Sequence, residues 1–200
     1  MVETKTLSRH HHGNLKEALV EYALDAARAG VLNDLSLRQA SRDLGVSPGA
    51  AYRHFKDRNS LMRHVAQRGF DELASRFEAA IPFASQAQTS GDARDRFLSL
   101  AHAYVAFSKD NPTLWRLMFG RFGLSSSSET ARPSTYEWLS KSLVELAVFD
   151  VIRPPDGAAQ FFAWSAIHGL SDLSSSPAVS FVDDKTVIEA HCEFILAALS

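Results

Sequence analysis

One cysteine, Cys192, is the only thiol in the 200-residue chain, so no intrachain disulfide can hold it together, and a reducing cytosol suits such usage. Apolar runs of eighteen residues are missing, as is an apolar leader, which predicts a cytoplasmic protein without a membrane partner. Strand-like alternation, internal repeats and useful coiled-coil heptads are lacking too. So are the nucleophile elbow, the phosphate loop, the zinc-ligand spacing and the paired carboxylates of common catalytic centres. The expectation is a protein with no enzymatic activity, no cofactor and no metal.

What is present is helical. With 46% hydrophobic residues the chain can bury one substantial core, or a small head and a larger body. Its net charge of −2 conceals a division. Residues 1–70 hold eleven Lys or Arg against seven Asp or Glu, a net of +4, whereas residues 71–200 hold ten against sixteen, a net of −6. A polyanion is attracted to the front of such a chain and repelled by its rear.

Residues 36–58 carry the densest local signal: SLRQASRDLGVSPGAAYRHFKDR. Ser36 with Gln39 reads as a capping box, and Leu37, Ala40 and Leu44 then share one helical face. Gly45 supplies the left-handed geometry that ends the first helix, and Ser47 with Pro48 restarts a second at once. The second helix is slim at its front (Gly49, Ala50, Ala51) and rich in donors one turn later (Tyr52, Arg53, His54). Such a helix-turn-helix fits a major groove, with Gly49, Ala50 and Arg53 at base edges. Ser36, Ser47, Tyr52, His54, Lys56 and Arg58 are then placed for phosphates, with Phe55 as the internal anchor and Asp57 capping the next helix. The RHHH tract ending at His12 lacks the i, i+4 spacing of a helical metal pair. It reads instead as a flexible arm along DNA, with Arg9 on a phosphate and a charge that varies near neutral pH.

With its flanks RHHHGNLKEALVEYALDAARAG and AYRHFKDRNSLMRHVAQRG, this stretch resembles the DNA-binding domain of the tetracycline-repressor (TetR) family of bacterial regulators. The resemblance implies a three-helix reading domain, a fourth helix linking it to a larger helical domain, and a homodimer that leaves its operator when a small molecule binds. NPTLWRLMFG and WSAIHGL resemble a short helix and the tryptophan, histidine and glycine signature of one branch of that family. In such proteins the last two helices pair with their copies as a four-helix bundle, which here points to the helices beginning near Asp156 and Asp184. Two reading helices about 34–36 Å apart then meet a near-palindrome.

Along the rest of the chain, Asn14 with Glu17 opens a first helix that lasts until Gly30. A longer helix after Asp57 stops near Pro82, and Asp92 starts the next. Asn111 and Pro112 cap a short successor ended by Gly120, and GLSSSSETARPS and SSSP read as loops. The expected fold is all-α. Residues 1–58 form the arm and helix-turn-helix domain, 59–82 the linking helix, and 83–200 the effector-binding and dimerisation domain.

Aromatic residues crowd the C-terminal half. Most are expected in the core, yet Phe107, Trp115, Met118, Phe119, Tyr136, Trp164 and His168 together suit the wall of an apolar effector cavity. His168 has a structural role in view as a hydrogen-bonded core residue, and Cys192 reads as packing. The expected partners are a double-stranded DNA operator, a second copy of the chain and a small-molecule effector. An architectural DNA binder of low sequence preference is the alternative, and a helical enzyme a remote one.

Overall fold

The structure, a computed structural model, describes residues 15–120, 122, 134–176 and 185–200. Among these it is wholly helical: nine α-helices and one short 3₁₀ turn, with no strand. Asn14, the RHHH arm with Arg9, most of GLSSSSETARPS and part of SSSP lie outside the described residues. The chain divides into two compact units, one ending at Ala66 and the other beginning at Gln67.

The first unit holds α1 (Leu15–Arg28), a 3₁₀ turn (Leu32–Asp34), α2 (Leu37–Asp43), α3 (Pro48–His54) and the first turns of α4 (Arg58–Ala80). Its core is formed by Leu19, Ala23 and Leu24 of α1, Leu37 and Ala40 of α2, Ala51 of α3, Phe55, and Leu61, Met62 and Val65 of α4. Gly45 has φ +69, and its N–H closes α2 on the Arg42 carbonyl at 3.0 Å. Ser36 accepts from the Gln39 N–H at 3.1 Å, but the Gln39 side chain turns along the helix to Asp43, at 2.7 Å, instead of reaching back. Only half of the expected capping box therefore forms at α2. At α4 the reciprocal box is complete: Asp57 accepts from the Ser60 N–H at 2.7 Å, and the Ser60 hydroxyl oxygen accepts from the Asp57 N–H at 3.2 Å.

The second unit is arranged around α5 (Ser90–Asp110), which packs against α6 (Pro112–Phe119), α7 (Thr135–Val148), α8 (Gly157–Ser174) and α9 (Lys185–Leu199). The helix after the 83–89 connection starts at Ser90 rather than Asp92, because Thr89 is the residue that caps it, accepting from the Asp92 N–H at 3.1 Å. Asn111 gives its side-chain N–H to the Phe107 carbonyl at 3.3 Å, so α6 begins on Pro112 without a side-chain cap. Where α4 crosses α6, Gly69 leaves no room for a side chain: a Cβ there would stand 2.5 Å from Met118 Sδ and 3.1 Å from Leu114 Cδ1.

One buried ion pair joins α5 to α7. Arg96 meets the Glu145 carboxylate in a fork, Nε to Oε2 at 2.8 Å and Nη2 to Oε1 at 3.3 Å, and also donates to the Ser85 hydroxyl and carbonyl. Lys141 adds bonds to the Phe83 and Ser85 carbonyls, pinning the 83–89 connection. Removing one partner of such a pair leaves the other charge buried alone. Glu145→Ala is therefore expected to cost about 3 kcal/mol or more in a denaturant titration, most of it recovered by the double replacement Arg96→Met with Glu145→Leu.

Candidate functional site

Two positions in the described chain have the makings of a site: the surface of α3 and a cavity in the second unit. On α3, Ala51 is fully buried and Phe55, just past the helix, is 1% exposed. An i, i+4 anchor of this kind fixes which way the rest of a two-turn helix faces. Tyr52 is 46% exposed, and Arg53, His54 and Lys56 are exposed beside it. Gly49 is open, with nothing within 4 Å of a would-be Cβ, and Ala50 is half-buried behind it. Ser47 caps α3 by accepting from the Ala50 N–H at 3.3 Å, while Ser36 caps α2, and both serines remain exposed. The slim tip and the donor-rich turn thus share one solvent-facing surface. Tyr22 braces it from behind, donating its hydroxyl hydrogen to Asp43 at the end of α2.

Arg58 is held differently from the exposed cations of α3. Its Nε donates to the Leu35 carbonyl at 3.0 Å and its Nη2 to the Leu32 carbonyl at 2.9 Å, so the guanidinium closes the 3₁₀ turn ahead of α2. The Leu32 carbonyl also accepts from the Leu35 N–H at 3.2 Å, so the half-buried cation adds a second donor at the turn's own hydrogen bond. Exposed Arg38, Arg42 and Arg63, which the sequence reading passed over, remain on the surface of the same unit. Charge alone does not separate them from Arg58.

In the second unit a cavity of about 240 Å³ opens among five helices. Phe70 and Phe77 of α4, and Phe97, Leu100, Ala101 and Tyr104 of α5, form one side. Phe119 of α6, Thr135, Tyr136 and Leu139 of α7, and Trp164 and Ile167 of α8 complete it. Of the seven residues expected there, the structure brings together Phe119, Tyr136 and Trp164. Phe107 and Met118 are fully buried packing: Phe107 lies under Arg76, 5.2 Å from guanidinium carbon to ring centre, and Met118 fills the space at Gly69. Trp115 and His168 stand behind the wall, stacked with centres 5.1 Å apart, and face a shallow outer groove shared with Arg116 and Asp172. Phe70, Phe77, Ala101, Leu139 and Ile167 were not singled out for the wall, because helical spacing marks an inward face without telling whether it meets atoms or a void.

A short polar relay starts at the cavity wall. Trp164 Nε1 donates to Tyr104 Oη at 3.2 Å, and Tyr104 Oη lies 3.0 Å from His168 Nδ1. With its oxygen accepting from Trp164, the Tyr104 hydroxyl has its own hydrogen to direct at Nδ1, which assigns that nitrogen the acceptor role. Burial holds the His168 imidazole below its ordinary range, partly opposed by the Asp172 carboxylate. Burial also drives the Tyr104 phenol well above its own. Both groups are neutral near pH 7, as the relay requires. Trp115 Nε1 reaches Asp172 at 3.3 Å. Cys192 is buried, its thiol pushed up to about 12 by burial first and then by Glu193 and Glu189, which leaves it inert packing.

Residues 97–199 match the family described as tetracyclin repressor-like, C-terminal domain. The chain belongs to the tetracycline-repressor family. Members of that family are transcriptional regulators and not enzymes. The regulator is 29% identical over 100 residues to an HTH-type transcriptional regulator, YobS, from Bacillus subtilis, and the matched stretch spans 50% of this chain and only about half, 49%, of that relative. It is also similar to two solved structures from Rhodococcus. One is of a protein with unknown function, at 27% identity with a TM-score of 0.77, covering 96% of this chain and 99% of that one. The other is a regulatory protein of the tetR family, at 25% identity with a TM-score of 0.63, covering 92% and 96%. No helix among the described residues is long and apolar enough to cross a membrane.

Two outcomes follow for the regulator. Arg58→Ala is expected to lower the stability of the reading unit by about 1–3 kcal/mol, through the loss of two charge-assisted bonds. Arg53→Ala is expected to leave its melting unchanged, and hydrogen exchange at the Leu35 to Leu44 amides separates the two. His168 has a folded pKa below its ordinary value near 6.5, so beneath that pH the unfolded chain binds a proton that the folded chain does not. Stability therefore falls as pH drops from about 6.5 toward the lower folded value and levels off beneath it. The melting temperature of His168→Gln should fall less steeply over that window than that of the unaltered protein. His102, whose pKa burial also lowers, is common to both proteins and cancels in the comparison.

Proposed function

We propose that the protein is a sequence-specific transcriptional regulator, acting as a repressor, whose homodimer binds a near-palindromic operator and is released by a small-molecule effector. The observation that carries this reading is the two-faced α3: Ala51 and Phe55 held in the core while Tyr52, Arg53, His54 and Lys56 stand in solvent behind a tip of Gly49 and Ala50. In this reading Gly49, Ala50 and Arg53 meet base edges. Ser36, Ser47, Tyr52, His54 and Lys56 meet phosphates, joined by Arg9 of the arm. The functional division stays at residues 1–58, 59–82 and 83–200, with α4 as the linking helix.

Dimerisation is supported by apolar surface left on the last two helices. Phe161 of α8 is 61% exposed and Phe194 of α9 is 71% exposed, with Phe162 and Leu173 also in solvent. Between them lie exposed small residues, Ser165 and Gly169 on α8 and Ala190 and Ala197 on α9, that allow close helix approach. A monomer seldom leaves such a surface uncovered, and a twofold four-helix bundle covers it. Effector release follows as a population shift, limited to the ligand's differential affinity for the two arrangements of the dimer.

Selection of bound fragments from random DNA tests this reading. A recurring near-palindrome with half-sites one helical turn apart is expected; fragments without any shared sequence would overturn it in favour of an architectural binder. On the selected site, Arg53→Ala should relax one base position at a cost of about 1–3 kcal/mol. Lys56→Ala should weaken all sequences alike and reduce the log-log salt slope by about 0.9.

A further inference from the structure

We propose that the cavity of the second unit selects uncharged, flat, hydrocarbon-like ligands of about two fused rings and rejects ions of the same shape. The inference deepens the effector reading above, and it rests on the cavity walls rather than on DNA binding.

Size sets the first limit. A dry cavity of roughly 150 Å³ holds benzene, and the space here is about 240 Å³, which admits a second ring and little more. The walls set the shape. Phe70 and Phe119 meet edge-on with ring centres 5.3 Å apart, and Phe77, Phe97, Tyr136 and Trp164 add further rings to the lining, so a planar guest finds ring faces and edges around it.

Chemistry sets the second limit. None of the described residues lining the cavity is Lys, Arg, His, Asp or Glu. Its hydrogen-bonding groups are also largely engaged. Trp164 donates to Tyr104, Tyr104 is held against His168, and the Tyr136 hydroxyl donates to Gln160 Oε1 at 3.0 Å. The Thr135 hydroxyl, at the first residue of α7, is the one further polar side chain of the described wall. Arg96 and Glu145 bond each other, and Arg116 and Asp172 line the outer groove. An anion or cation entering the cavity therefore gives up its hydration with no opposite charge among the described lining residues to meet it. Ring faces attract cations through their quadrupole, but none of the described lining residues is a carboxylate.

The test uses the full-length protein and three probes of one shape: naphthalene, 1-naphthoate and N-methylquinolinium. Melting is followed by circular dichroism at increasing ligand concentration, because a ligand that binds the folded state raises the transition. Naphthalene is expected to raise it, and each ion to need about tenfold or more higher concentration for the same shift. Leu139→Trp, at a half-buried wall position, and Ala101→Leu, on α5, should each abolish the naphthalene shift while the ligand-free protein still melts cooperatively. Equal or stronger binding of either ion, no response to naphthalene, or an unchanged response in both variants would overturn the inference. Operator retention on the selected fragment is read separately. A naphthalene shift that leaves retention unchanged supports the ligand class and removes effector release by such compounds. Retention on the fragment together with no naphthalene binding overturns the ligand class and leaves operator recognition standing.

Discussion

A helix of two turns is not stable in water by its own hydrogen bonds, because nucleation fixes several residues for each bond gained. The surface of α3 therefore depends on Ala51 and Phe55, the two residues that tie it into the first unit's core. Their spacing leaves Tyr52, Arg53 and His54 no inward direction, so the donors are outside because the anchors are inside. The remainder of the unit secures that arrangement. Gly45 and the Ser47–Pro48 pair keep the turn short, Tyr22 bonds the end of α2, and Arg58 closes the carbonyls of the preceding 3₁₀ turn. The definition of that surface comes from these local ties, since the unit is too small to rely on a large core.

In the second unit the same economy of partners has a different result. The central helix α5 carries Arg96, Tyr104 and Ser108 on faces that are buried, and each must find a partner from another element. Arg96 finds Glu145 on α7, Tyr104 finds Trp164 and His168 on α8, and Ser108 finds the Ser171 carbonyl on α8 at 2.9 Å. These bonds hold the helices in register around α5. The bond between Tyr104 and Trp164 also engages two of the polar groups that line the cavity.

Helix existence, the position of the turn at Gly45 and the outward set on α3 were legible in the sequence, because caps, a left-handed glycine and i, i+4 spacing are local signals. The C-terminal helices were legible for the same reason, although α5 starts two residues before the acidic residue that suggested it, since Thr89 is the better-placed acceptor. What the pattern could not convey was distance across the fold. Arg58 has the composition of a phosphate contact, yet two carbonyls more than twenty residues earlier claim it. Phe107 and Met118 have the spacing of cavity residues, yet Arg76 and Gly69 fill the space beside them. Periodicity identifies the buried face of a helix. Whether that face meets another side chain or an empty volume is decided by residues remote in sequence.

Helix α4 makes the cavity more than a void. Leu61, Met62 and Val65 in its first turns belong to the core of the reading unit, and Phe70 and Phe77, two turns apart on one face, belong to the cavity wall. Gly69, between these two sets, presses on Met118 of α6, and Phe70 meets Phe119 of α6 edge-on with ring centres 5.3 Å apart. A guest that displaces Phe119 or Phe70 therefore pushes on the part of α4 that belongs to the second unit. Close packing gives that push few soft outlets, because side chains at this density shift as blocks. A guest without a single hydrogen bond to the protein is then felt at the contact of α4 with α6 through its volume alone.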